Sequence, residues 1–241
     1  IAKYSASGAY LWAFTLSGSP AVGLDLKLDG SGNVCVTGEI KPSNDTIVDF
    51  DPGPGAANLV VDDNFNYLFL AKYTASGAYL WAKIAAGESA YSRSMAIDAN
   101  DNILLTGRFS AYIDFDMGPG TANLFSLGLN PDVFVAKYDG AGNFIWVFRI
   151  GGNEWDTGYG IATDAGGNVY VTGSFYETDV DFDPGAGTAL LSSAGDSDAF
   201  IAKYNASAVY QWAVAIGDEN RDEGRGLATD SEGNLYATGF F

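Results

Sequence analysis

Ala-Lys-Tyr occurs four times in this chain, at Ala2-Lys3-Tyr4, Ala71-Lys72-Tyr73, Ala136-Lys137-Tyr138 and Ala202-Lys203-Tyr204, in steps of 69, 65 and 66 residues. Other landmarks keep the same register. A tryptophan stands eight residues after each tyrosine (Trp12, Trp81, Trp146, Trp212), and a turn aspartate comes later (Asp29, Asp98, Asp164, Asp230). An asparagine lies four positions beyond each aspartate (Asn33, Asn102, Asn168, Asn234), and then Thr-Gly follows, as at Thr37-Gly38 and Thr172-Gly173. A period of this length means that one supersecondary unit is used again and again, and that no unit buries its apolar surface alone.

Each unit reads as β-structure. Asp164-Ala165-Gly166-Gly167-Asn168 separates two runs rich in apolar and β-branched residues, Gly160–Thr163 and Val169–Phe175, which is a hairpin pattern. Two further strands follow, Ala199–Tyr204 through Ala-Lys-Tyr and Val209–Ile216 through tryptophan. No segment carries a capped 3.6-residue apolar period, so helix is not expected. The expected fold is therefore all-β: a β-propeller of four-stranded antiparallel blades stacked face to face. In the first strand one face carries Leu26, Met95, Ile161 and Leu227, and the other Lys27, Ala96, Ala162 and Ala228, so a bulky face would meet a small one. The chain opens on a third strand and ends on a second strand at Phe241. The terminal strands would close four blades if the chain is complete. Otherwise the chain is part of a larger ring. A single domain, 1–241, is expected, with repeat units at about 1–69, 70–134, 135–200 and 201–241.

Composition removes several kinds of chemistry. There is no histidine and one cysteine, which excludes histidine-dependent triads, thiolate metal clusters and an internal disulfide. A net charge of −18 opposes nucleic acid and anionic lipid, and no apolar run is long enough for membrane insertion. Cys35 falls in an apolar strand slot, so an inert thiol is expected.

Candidate sites come from insertions and from breaks in the repeat. Asp49-Phe50-Asp51, Asp114-Phe115-Asp116 and Asp181-Phe182-Asp183 lie in an insertion between the second and third strands, read as a small hairpin. In an extended strand the two aspartates of each copy share a face, and paired carboxylates invite a hard cation, so Ca2+ is the candidate ligand of all six. Asx turns that cap the following Gly-rich bend are the competing reading. Asp25 and Lys27 replace small residues of the other copies and are candidate ligand contacts, or a mutual pair. Trp155, in the loop before the third copy's first strand, has no repeated counterpart and is a candidate ligand contact. The loops Glu154-Trp155-Asp156 and Asp218–Glu223 suggest an acidic rim favouring cations. The repeated tryptophans, helped by the Ala-Lys-Tyr tyrosines, are expected to cover the outer edges of the blades.

The units Phe134-Val135-Ala136-Lys137-Tyr138, Gly142-Asn143-Phe144-Ile145-Trp146 and Gly158 through Gly173 resemble the bacterial β-propeller repeat family SBBP, named for seven blades, in a variant with an Asp-Phe-Asp-Pro-Gly insertion. The resemblance implies a secreted or cell-surface bacterial protein of several domains, and it brings no active site with it. Together these readings lead to a non-catalytic binding or structural module at the cell surface or outside the cell, with an adhesion or assembly role. Its partner would be a protein or a glycan. The alternative is a carbohydrate-active enzyme, a carboxylate-based glycosidase at the channel mouth.

Overall fold

The computed structural model describes residues 1–41, 46–62 and 64–241. A two-stranded pair, β1 (Ala2–Tyr4) and β2 (Tyr10–Ala13), comes first and is followed by the short β3 (Ser17–Gly18). The first full sheet holds β4 (Ala21–Leu28) and β5 (Val34–Ile40), and, beyond β6 (Ile47–Asp49) and β7 (Asn58–Val60), β8 (Tyr67–Tyr73) and β9 (Tyr79–Ile84). The second unit repeats the plan with β10 (Ala86–Gly87), β11 (Ala90–Ile97), β12 (Ile103–Phe109), β13 (Tyr112–Asp114), β14 (Asn123–Phe125), β15 (Asp132–Tyr138) and β16 (Phe144–Ile150). The third has β17 (Thr157–Thr163), β18 (Val169–Phe175), β19 (Val180–Asp181), β20 (Leu190–Leu191), β21 (Asp198–Tyr204) and β22 (Tyr210–Ile216). A last pair is formed by β23 (Glu223–Thr229) and β24 (Leu235–Phe240).

The large sheets are antiparallel meanders in the orders β4-β5-β8-β9, β11-β12-β15-β16 and β17-β18-β21-β22, and no helix occurs among the described residues. The first strands of successive sheets lie against one another, so the sheets fan out from an inner edge made of β4, β11, β17 and β23. The bulky-against-small expectation holds where Ile161 meets Ala96, but not at the first junction, where Lys27 is exposed and pairs with Asp25. Met95 packs into a cluster with Cys35 of the preceding sheet, and Ile161 into one with Ala96. Each junction thus buries side chains contributed by two sheets, which is why no single repeat is self-sufficient.

The end strands do not behave as the four-blade closure requires. The β1–β2 and β23–β24 pairs are separate two-stranded sheets with no hydrogen-bonded ladder between them. Phe240 and Phe241 are exposed, and Leu26 is half exposed where Met95 and Ile161 are buried.

The repeated residues stitch neighbouring sheets together. Lys72 Nζ sits 2.8 Å from Asp29 Oδ2 of its own sheet and donates to the Gly140 carbonyl of the next. Lys137 repeats the ion pair with Asp98 at 2.8 Å, and Lys203 stands at 4.0 Å from Asp164. Each turn aspartate also caps its own hairpin: Asp29 Oδ1 accepts from the Ser31 and Asn33 amides, while the Asn33 amide group donates to Oδ2. The tryptophans lie at the outer strands, and Trp12, Trp81 and Trp146 reach the following unit. Trp12 Nε1 donates to the Ala75 carbonyl, and the Trp81 ring covers Gly142, where an added Cβ would come within 2.9 Å. Three of the four tyrosines, by contrast, are core and not rim, while Tyr4 of the first pair is exposed. Tyr73, Tyr138 and Tyr204 are fully buried, and their hydroxyls donate to the carbonyls of Phe50, Phe115 and Phe182. They anchor each insertion hairpin to its sheet, since a buried hydroxyl must find an acceptor.

A candidate binding cleft at the inner edge

All four inner strands carry a β-bulge in register, between Gly23 and Asp25, Ser92 and Ser94, Gly158 and Gly160, and Gly224 and Gly226. Opposite the second bulge sits Gly107, where an added Cβ would lie 1.9 Å from the Tyr91 carbonyl oxygen, so only glycine fits. A bulge re-aims the side chain of its extra residue. Those residues are Leu24, Arg93, Tyr159 and Arg225, so three of the four copies place a cation or a phenol at the inner edge.

Beside them opens a cavity of about 610 Å³, lined among others by Arg108, Trp155, Tyr159, Tyr176 and Arg221. The Arg108 guanidinium is stacked between two rings, its Cζ 5.0 Å from the Tyr91 centroid and 5.4 Å from that of Trp155. Its Nε is buried and meets no acceptor, and among the described residues its guanidinium has no hydrogen bond or ion pair. Arg225 lies over the Tyr159 ring at 4.4 Å. Arg221 and Arg225 grip separate oxygens of the buried Glu223, and the Tyr159 hydroxyl donates to it at 3.4 Å. Glu154 and Asp196 are the cavity's acidic lining residues. Every arginine except Arg149 thus borders this region of a strongly acidic protein.

The rim is therefore of mixed sign and not the single-sign acidic field expected from its loops. Asp156, Asp222 and Glu223 turn inward and are buried, while Arg108 and Arg221 face the cavity. Asp156 and Asp132 are both fully buried and approach each other across Gly151, each with an oxygen 2.7 Å from where a Cβ would stand. Asp198 and Asp222 repeat the arrangement across Gly217. Burial pushes both Asp132 and Asp156 up to about 7. The Arg149 Nε near Asp132, at 3.4 Å from Oδ2, is too distant to offset that burial, and Oδ1 of Asp132 has no partner.

The remaining sequence candidates lie elsewhere. Asp25 and Lys27 form the mutual pair, with Nζ 2.9 Å from Oδ1, and Asp25 Oδ2 also accepts from the Met95 amide of the next inner strand. In the insertions Asp49 Oδ1 accepts from the Asp51 and Ala57 amides, and Asp51 Oδ1 from Gly53. Asp114 with Asp116, and Asp181 with Asp183, repeat these contacts. Phe50, Phe115 and Phe182 are buried beneath. These backbone bonds hold the Asp49 carboxyl below its usual range. Among the described residues no three metal-binding side chains gather. Cys35 is buried, which raises its thiol to about 11.

Trp155 is the sequence candidate that the fold brings to the cleft. Arg108, Tyr159 and Arg225 were missed. Their signal was present as broken symmetry: Leu24, Arg93, Tyr159 and Arg225 occupy one repeat position, and Glu39, Arg108, Ser174 and Phe240 another.

Comparison with known proteins agrees with the architecture. The β-propeller repeat family SBBP matches residues 211–239. The chain is 28% identical over 187 residues to an uncharacterized WD repeat-containing protein of Acanthamoeba polyphaga mimivirus, covering 68% of this chain and 13% of that protein. It is 26% identical over 200 residues to the regulatory protein FlaEY of Caulobacter vibrioides, covering 78% of this chain and 20% of that protein. The chain therefore spans no more than a fifth of either relative.

Proposed function

We propose that this chain is a non-catalytic, protein-binding propeller module whose contact surface is the inner-edge cleft around Arg108 and Trp155. The observation that carries the reading is the Arg108 guanidinium, held between two rings with its donors unspent beside a half-exposed tryptophan. Exposed aromatic and arginine side chains are the residue types that dominate protein–protein contacts. Likeness to repeat propellers supports an interaction role. The paired carboxylates Asp132–Asp156 and Asp198–Asp222 are buried, which supports a structural role for them over a glycosidase one. We place the module outside the cell or on a bacterial surface, in adhesion or assembly. Ca2+ at the six insertion aspartates is a separate proposal: a cation would use the oxygens that the backbone leaves free.

The binding reading is tested by probing an immobilised array of peptides from surface and secreted proteins with the wild-type chain, Trp155→Ala and Arg108→Ala, and with Lys27→Ala as a remote control. Binding lost in the two cleft variants and kept in Lys27→Ala is the expected result. Binding that ignores the cleft substitutions overturns it. The calcium reading predicts a rise in Tm with millimolar Ca2+ that disappears when Asp49, Asp114 and Asp181 become Asn. A shift no larger than with Mg2+ ends it.

A further inference from the structure

We propose that Arg108 is a carboxylate receptor, and that its ligand is an acidic side chain on a partner polypeptide segment that also carries a lysine or arginine close by. This rests on the cleft being the protein-binding surface. A guanidinium has two kinds of surface: ring-like faces, which stack, and in-plane N–H groups, which need acceptors. In Arg108 the Tyr91 and Trp155 rings take the faces, and the buried Nε is left without a partner. The two Nη groups likewise have no acceptor among the described residues, and a ligand in the cavity supplying two coplanar oxygens meets them with a bidentate, charge-assisted pair.

Charge selects among the anions that could do this. The chain carries −18 overall, so polyphosphates, sulfated glycans and strongly acidic proteins are repelled at long range. Glu154 and Asp196 line the same cavity, which adds a short-range penalty for a second negative group. They also offer acceptors for a cation arriving with the carboxylate. Arg221 and Arg225 do not compete for the ligand, because Glu223 already engages both. The complement of this cleft is a segment of alternating sign, one carboxylate and one ammonium or guanidinium, and a peptide supplies both on adjacent side chains.

With arginine labelled in 15N, the Nε–H signals of the five arginines report the site directly by NMR. Four probes are titrated: propionate, glucuronate, Ac-Ala-Glu-Ala-Lys-Ala-NH2, and the same peptide with Gln in place of Lys. Expected is a saturable shift of the Arg108 signal with Arg149 unmoved, and at least about tenfold tighter binding of the Glu/Lys peptide than of the Glu/Gln one. Arg108→Lys, which keeps the charge and loses the fork, should weaken both peptides by at least about tenfold. An Arg108 signal that stays still with propionate and both peptides overturns the receptor. Glucuronate binding as tightly as the Glu/Lys peptide, with the lysine making no difference, overturns the polypeptide ligand and with it the protein-binding reading, while the receptor stands. Trp155→Ala, monitored through the unchanged signals of Arg149 and the sheet amides, separates a lost stacking partner from a lost fold.

Discussion

Two sets of buried carboxylates in this molecule, at hairpin turns and at sheet junctions, behave in opposite ways. The hairpin-turn aspartates, Asp29 and Asp98, are buried, though less completely than the junction aspartates, Asp132 and Asp156. Yet at Asp29 the Lys72 ammonium and the Asn33 amide outweigh burial and hold the carboxyl at about 2, whereas Asp132 and Asp156 rise to about 7. Burial raises the carboxyl in both sets and is deeper at the junctions, and only the turn set has a cation and amide donors enough to outweigh it. The turn set therefore stabilises the fold above about pH 4 and gives that contribution up as pH falls toward 2. The junction set contributes fully only below about pH 4, and its contribution is lost as pH rises through 7.

The largest effect comes from turning one kind into the other. Lys137→Met removes the cation beside Asp98 in a pair almost closed to solvent, and should cost about 3–5 kcal/mol in denaturant unfolding at neutral pH. Much of that loss should return near pH 3 as Asp98 protonates. Asp132→Asn works in the other direction. It replaces an orphaned oxygen with an amide that can donate to Asp156, and should stabilise by about 1–3 kcal/mol at about pH 8. The gain should vanish by about pH 4, and a gain independent of pH would show that packing, not charge, is responsible. Asp198→Asn should repeat the sign, since burial raises that carboxyl too. A loss there would break the equivalence of the two junctions. The smallest effect is expected at the exposed hairpin turn, where Asp230→Ala removes only its bonds to Glu232, Asn234 and Tyr236. It should lower Tm by the least of these variants, with little dependence on pH above about 5.

The first junction sharpens the same contrast. Tyr67 and Ala90 stand there in the places of Asp132 and Asp156. It should therefore contribute none of the alkaline destabilisation expected from the other two.

Much of this was legible in the chain. The spacing of Ala-Lys-Tyr, tryptophan, aspartate and Thr-Gly placed the four strands of each full sheet and the hairpins inserted between them. Cys35 lies buried as its apolar slot implied, and Trp155 stands in the cleft. What the reading gave wrongly has one physical cause. Whether a charged side chain faces solvent or turns between two sheets is not set by its own strand. The loop acids therefore read as a negative rim, although Asp156 and Glu223 are buried, and the tyrosines read as rim although Tyr73, Tyr138 and Tyr204 clamp the core.

Sequence alone determined the unit, because periodic apolar residues, hairpin turns and glycines constrain the backbone within a few residues of themselves. Only the tertiary structure decided the site. Arg108, Trp155 and Tyr159 lie on different strands and loops of two sheets, and they converge because aligned bulges and stacked sheets bring distant positions into contact. The same stacking decided which carboxylates meet a lysine and which meet each other, since that partner comes from another strand and not from the neighbouring residue.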